Sequence, residues 1–178
     1  MKWRFCKITD ITKTEYEAIY NGLTPSRRAH IDRMKQQDDR LRSLAVTHLL
    51  NSILEEFGVC DARLEVLENG KPHLVGSDLF FSLSHSEEGV AAVVSGTPVG
   101  IDIEKIKPVT DKLINYVCNE NERKYIESGN DKEYRFFAVW TAKEAFFKKN
   151  GGVGVRAVDT TTFEKSVYEI DDYLITIV

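Results

Sequence analysis

The stretch VGIDIEKIKP, residues Val99 to Pro108, sets two carboxylates inside an otherwise apolar run. Side chains two apart on a strand share a face, so Asp102 and Glu104 project together while Ile101 and Ile103 take the other side. The isoleucine face demands burial. The acidic face holds two like charges that repel each other, and it is either a solvated surface or one wall of a cation site. The remaining segments have to decide between these readings.

Upstream, "LFFSLS", "GVAAVVSG" and "PVGIDIE" are apolar segments separated by His85 to Gly89 and by Gly96-Thr97, a pattern that predicts an antiparallel meander ending at the carboxylate strand. Residues 2–9 read as a first strand and Thr14 to Tyr20 as a short helix. From Ser26 to Phe57, the residues Ile31, Met34, Leu41, Leu44, Ala45, Leu49 and Phe57 keep helical spacing, with a break near Gln36 to Asp39 and Gly58 as a stop. That stripe reads as core. Leu64 to Leu67 predicts a strand, and Asn69-Gly70 a turn leading into Lys71-Pro72.

Downstream of a polar connection, residues 111–128 read as helical and "SGNDKE" as a loop. "YRFFAVWTAKEAFFKK", Tyr134 to Lys149, is the clearest helix and ends at Asn150-Gly151-Gly152. "VYEI" and "YLITIV" supply a last antiparallel part. Helix followed by strands thus occurs twice, without a residue-level repeat. The expected fold class is α+β, with an N-terminal α+β half over 1–98 and a C-terminal half over 99–178 forming one compact unit with a cleft between them.

A chain of 178 residues can bury a core without staples. Cys6, Cys60 and Cys118 are odd in number, widely spaced and free of any CxxC pair, which argues against a zinc site or a disulfide framework and for a reducing cytoplasm. The start, MKWRFCKITD, lacks the apolar core of a signal peptide, and no apolar run approaches a membrane span. A net charge of −4 disfavours a non-specific nucleic-acid binder, while local basic clusters can still hold a small polyphosphate.

Glu144 and Lys148 lie four apart on the clearest helix, and the plain reading of such a pair is a surface salt bridge. Ser84, His85 and Ser86 follow an apolar strand and open a turn, where hydroxyls and an imidazole can donate to an anion. Ser and His adjacent in sequence do not make a hydrolase triad.

Taken together, "NGKP", "FSLSHS", "VGIDIE" and, about forty residues later, "WTAKEAFFK" resemble the 4′-phosphopantetheinyl transferase superfamily in its peptide-synthetase-activating type, in the family's order from Asn69 to Lys148. "TPSRRAHIDRMKQQDDRLRS" resembles the family's N-terminal region more loosely. The resemblance implies two similar α+β halves in a pseudo-twofold single chain. It also implies transfer of the phosphopantetheine arm of coenzyme A to a serine of an acyl or peptidyl carrier protein, with magnesium, releasing adenosine 3′,5′-bisphosphate. By resemblance, Asp102, Glu104 and Glu144 match the metal-binding acids, and Lys148 matches a phosphate-contacting lysine. Lys71, Ser84, His85 and Lys143 match coenzyme A contacts, and Arg27 and Arg42 are further candidates for phosphate contacts. Ser82 stands where the family pattern has Asn, and the segment after Lys148 is short for the larger members. A two-halved chain nonetheless fits better than the shorter type that assembles as a trimer, so a monomer is expected.

Physical chemistry agrees with these roles. A magnesium diphosphate needs hard oxygen ligands few enough to leave positions for phosphate and water. Attack by a carrier serine needs a base, either Glu144 directly or a water on the metal, together with the cation and Lys148 to stabilise the charge on the departing phosphate. Two other readings stay open: a metal-dependent phosphodiesterase using water as nucleophile, and a non-catalytic module that binds coenzyme A or the carrier.

Overall fold

The computed structural model describes residues 1–60, 62–66, 72–150 and 154–178. Its elements run β1 (Lys2–Lys7), α1 (Lys13–Gly22), α2 (Pro25–Asp32), α3 (Gln37–Glu56), β2 (Leu64–Val66), β3 (Pro72–Leu74), β4 (Phe80–Ser86), β5 (Gly89–Ser95) and β6 (Ile101–Lys105), then α4 (Asp111–Val117), α5 (Glu120–Glu127), α6 (Lys132–Asn150), β7 (Ser166–Ile170) and β8 (Tyr173–Ile177). The helix starts are written in the sequence. Thr12 and Glu15 form a capping box on α1, and Thr24 caps α2 with Pro25 in its first turn. The break in the first long helical stretch falls at residues 33–36, where the Arg40 guanidinium donates to the Asp32 and Met34 carbonyls.

Among the described residues, two three-stranded antiparallel sheets, ordered β1-β5-β4 and β6-β8-β7, and a small β2-β3 pair make up the strand content. The expected meander is therefore corrected: β4 and β5 form a hairpin, but β6 leaves to pair with β8. The reason lies in β5, which is buried at every position and has both edges taken, by β1 and by β4. Pro72–Leu74 is a strand where the sequence suggested only a turn exit, and Asn69-Gly70 lies outside the described residues. The helix expected over 111–128 is two helices, because Asn119 caps a new one through a capping box with Glu122.

The packing follows the period-two alternation of the strands. Val90, Ala92 and Val94 of β5 pack with Leu49, Leu50, Ile53 and Leu54 of α3. Ala91 and Val93 meet Ile101 and Ile103 of β6 and Tyr173, Ile175 and Ile177 of β8. The isoleucine face of the carboxylate strand is thus buried between the sheets, and α6 covers the opposite face of its sheet, where Leu174 packs with Phe136, Phe137 and Val139. The strand pattern sets one long helix behind each sheet.

One glycine fixes how close α6 comes. A Cβ on Gly100 would run into the Ala145 carbonyl oxygen and sit 2.8 Å from the Lys149 amide nitrogen, both main-chain atoms of α6. Gly100→Ala is expected to cost about 1–3 kcal/mol through overpacking, read from the urea midpoint. An unchanged midpoint would mean that α6 can retreat freely from β6.

Candidate active site

The acids and the helix meet where the β4 edge of one sheet faces the β6 edge of the other. No ladder joins these strands. A row of serines does. Ser82 Oγ accepts from the Ile101 amide at 3.1 Å, Ser84 Oγ donates to Asp102 Oδ1 at 2.8 Å, and Ser86 Oγ donates to Glu104 Oε2 at 2.6 Å while accepting from the Lys105 amide at 3.4 Å. Residues two apart on β4 share a face, so the single pattern Ser-x-Ser-x-Ser supplies the whole seam. Ser82, in the place of the family's Asn, thereby acts on the main chain of the carboxylate strand.

Asp102 is 5 % exposed, which excludes the solvated-surface reading of the opening motif. Its Oδ1 also accepts from Lys148 Nζ at 2.7 Å, while its Oδ2 is buried without a hydrogen-bond partner. Glu104 Oε1 accepts from the half-buried Trp140 indole at 3.3 Å. Glu144, one helical turn before Lys148, is half-buried beside them. All three carboxyls are held above their ordinary pKa. For Asp102 the cause is burial, which outweighs Lys148 and Ser84. For Glu104 it is burial and then repulsion from Asp102, opposed by Ser86. For Glu144 it is burial, then Asp102, with a weaker contribution from Glu104. The cluster sets three carboxyls against the Lys148 ammonium, and the orphaned buried Oδ2 of Asp102 among hard donors suits a divalent cation. Among the described residues no three His, Cys, Asp or Glu side chains converge to metal-ligand spacing, and the Lys148 ammonium stands against Asp102 instead.

Basic groups flank the acids. His85, exposed on β4, has its pKa lowered by partial desolvation and then by the Arg42 and Lys148 cations. Arg42 donates to the Glu87 carbonyl at 3.0 Å and pairs with Asp39 at 2.6 Å, and its Nε is buried without a partner. Arg27 is held to a different face of α3 by Ser43 at 2.9 Å and Thr47 at 3.0 Å, with burial depressing its pKa. A cavity of about 1000 Å³ opens on the α1 side of Arg42, lined by Tyr16, Tyr20, Leu41 and Leu44 among others. The acid cluster is not on its wall.

The structure therefore brings together Asp102, Glu104, Glu144, Lys148, Ser84, His85 and Arg42, and sets Arg27 aside. Lys71 lies outside the described residues. Two expectations are corrected. Ser84 is 7 % exposed, and its hydroxyl is engaged by Asp102 and Lys148 in place of an outside anion. Lys143 is fully buried, paired with Glu122 at 2.9 Å and donating to the Val158 carbonyl, so it does not face the cleft and is a structural residue. Sequence reasoning missed Trp140 as a partner of Glu104 and the seam role of Ser82 and Ser86. The period-two serines were a legible signal for the seam.

Three carboxyls thus stand beside a lysine, an arginine and a histidine, a donor set whose chemistry suits hard cations and phosphate oxygens. Residues 98–175 match the model of the 4′-phosphopantetheinyl transferase superfamily. The chain is 41 % identical over 86 residues to 4′-phosphopantetheinyl transferase gsp of Aneurinibacillus migulanus, covering 47 % of this chain and 36 % of that protein. It is 27 % identical over 147 residues to 4′-phosphopantetheinyl transferase Sfp of Bacillus subtilis, covering 79 % and 66 %, and 33 % identical over 145 residues to psf-1 of Bacillus pumilus, covering 78 % and 62 %. The matched region thus spans between about a third and two thirds of the length of these relatives. Residues 98–175 carry the superfamily match, and more than three quarters of the chain is similar to proteins named 4′-phosphopantetheinyl transferase.

Proposed function

We propose that this chain transfers 4′-phosphopantetheine from coenzyme A to a serine hydroxyl of an acyl or peptidyl carrier protein. The observation that carries the reading is the convergence of Asp102, Glu104 and Glu144 with Lys148 and the His85–Arg42 pair at one seam. In the reaction the carrier serine oxygen attacks the β-phosphorus, the bond to the α-phosphate oxygen breaks, and adenosine 3′,5′-bisphosphate leaves. Glu144, with its pKa raised by burial, takes the serine proton. Lys148 stabilises charge on the departing phosphate, and Arg42 and His85 hold the nucleotide's phosphates. Asp102, Glu104 and Glu144 would hold magnesium, which would supply charge neutralisation and polarisation of the diphosphate when bound. Arg27 and Lys71 remain candidates for outlying phosphate contacts.

The halves 1–98 and 99–178 each supply part of this site within one chain, which supports a monomer with the carrier docked beside the cleft. No described helix is long and apolar enough to cross a membrane. We place the reaction in the cytoplasm because three unpaired cysteines suit a reducing compartment.

The test is incubation with coenzyme A, magnesium and a panel of apo-carrier proteins, followed by intact mass. A phosphopantetheine adduct on a carrier is expected. Release of adenosine bisphosphate without a carrier would favour a phosphodiesterase, and coenzyme A binding with no adduct would favour a non-catalytic module. A narrower prediction concerns His85. Its pKa is held below the ordinary imidazole value in the free protein, and a phosphate partner in the complex would raise it, so binding is expected to take up a proton and coenzyme A affinity to rise as pH falls from 8 towards about 6.5. Calorimetry in two buffers of different ionisation enthalpy should show this uptake in the wild type and not in His85→Ala, which should also bind more weakly. Equal uptake by both proteins would remove His85 from the phosphate site.

A further inference from the structure

The Lys148 ammonium does more than decorate the helix. It lies 2.7 Å from Asp102 Oδ1 and 2.7 Å from Ser84 Oγ, while Ser84 itself donates to the same Oδ1. This closed triangle sits at the floor of the acid cluster, on the most buried of its three carboxyls, and it leaves Asp102 Oδ2 with no partner. A positive charge already stands against the carboxylate that a metal would need, and a divalent ion beside it would meet both repulsion and a hydrogen-bonded competitor for that oxygen.

We propose that in the ligand-free protein Lys148 is the resident cation of the acid cluster, and that metal enters only as Lys148 leaves Asp102 for an anionic ligand, so that metal and coenzyme A bind synergistically. This rests on the reading of the cluster as a metal site given above. The side chain is suited to such a move. It is 28 % exposed, the ammonium is a point charge on a flexible four-carbon stem, and the helical turn that bears it also bears Glu144. The basic neighbours point the same way, since Arg42 and Lys148 both act on His85 and so flank it with two cations, whose mutual repulsion an entering phosphate relieves. Because linkage is reciprocal, whatever factor coenzyme A contributes to metal affinity the metal returns to coenzyme A.

The experiment is a titration of the full chain with Mn²⁺ as the probe, free ion followed by electron paramagnetic resonance, with and without coenzyme A, in the wild type and in Lys148→Met, with Lys148→Gln as a second variant and folding checked by thermal melting. Without coenzyme A, both variants are expected to bind Mn²⁺ at least about tenfold more tightly than the wild type, a change worth about 1.4 kcal/mol. Coenzyme A should then raise the wild-type affinity by a larger factor than it raises that of either variant. If the wild type binds Mn²⁺ with coenzyme A present but the folded variants bind it no more tightly in its absence, Lys148 is not a competitor and the proposal falls while the metal site stands. If no protein binds Mn²⁺ under either condition, the metal-site reading itself falls and takes the proposal with it.

Discussion

Glu144→Gln is expected to fold and, on the proposed function, to lower phosphopantetheine transfer, measured as kcat/KM for the carrier, by about 10²- to 10⁴-fold, the range a positioned general base contributes. The same variant is not destabilised. The Glu144 carboxyl is held above its ordinary value by burial and then by Asp102, so the folded state binds its proton more tightly than the unfolded state does. Stability contributed at this position therefore falls as pH rises from the ordinary carboxyl pKa to the raised one, and stays low above it. Glutamine removes that loss, so the variant's melting temperature should match or exceed the wild type's at pH 7, and the two should converge below pH 4. Transfer within twofold of the wild type would show that the base lies elsewhere. Asp102→Ala should lose transfer as severely, but it also strips Ser84 and Lys148 of their acceptor, so its melting temperature should drop.

Lys143→Met should cost about 3–5 kcal/mol of unfolding free energy, because it leaves the Glu122 carboxylate buried without its counter-charge. Glu122 is tightly held: Oε1 accepts from the Thr160 amide and hydroxyl, both at 3.0 Å, and Oε2 accepts from the Asn119 amide at 2.8 Å as well as from Lys143. The pair thus binds α5, α6 and the segment before β7 into one unit. Replacing both ends, as Lys143→Met with Glu122→Leu, removes the two charges together and should recover much of the lost stability, although the amides of Asn119 and Thr160 then go short of an acceptor. Urea unfolding decides the first point and a coenzyme A titration the second. The double variant, if Lys143 has only a structural role, binds coenzyme A within about threefold of the wild type, well under one decade or 1.4 kcal/mol. A loss of tenfold or more would return Lys143 to the list of ligand contacts.

What the sequence made legible follows from locality. Thr12, Thr24 and Asn119 state their helix starts within three residues, and the alternation of Ile101-Asp102-Ile103-Glu104 states which face is buried whatever the rest of the chain does. Sheet membership is not local. The connection at 96–100 looks like a hairpin turn, and only the burial of β5 between two neighbours shows why β6 had to pair elsewhere. The same limit governs the site. Type and spacing single out the acids, Lys148 and His85, and the family resemblance gives them their roles, whereas Lys143, next to Glu144 and about 100° round the helix, turns into the core, and nothing near it in sequence shows that Glu122 waits there.

The serine seam between β4 and β6 has a consequence for how such a site can be adjusted. Strands zipped through their main chains are locked at about 4.8 Å and in whole-residue register, so any slip turns every side chain to the other face. Hydroxyls carry no such quantum. Exchanging Ser82 for a longer amide, or Ser86 for threonine, would change one contact of the carboxylate strand by a fraction of an ångström and leave both ladders intact. The acids are hung on a set of separate tuning pegs, holding a peptide at Ser82, a carboxylate at Ser84 and both at Ser86, and the distance from Asp102 to Lys148 can be retuned without rebuilding either sheet.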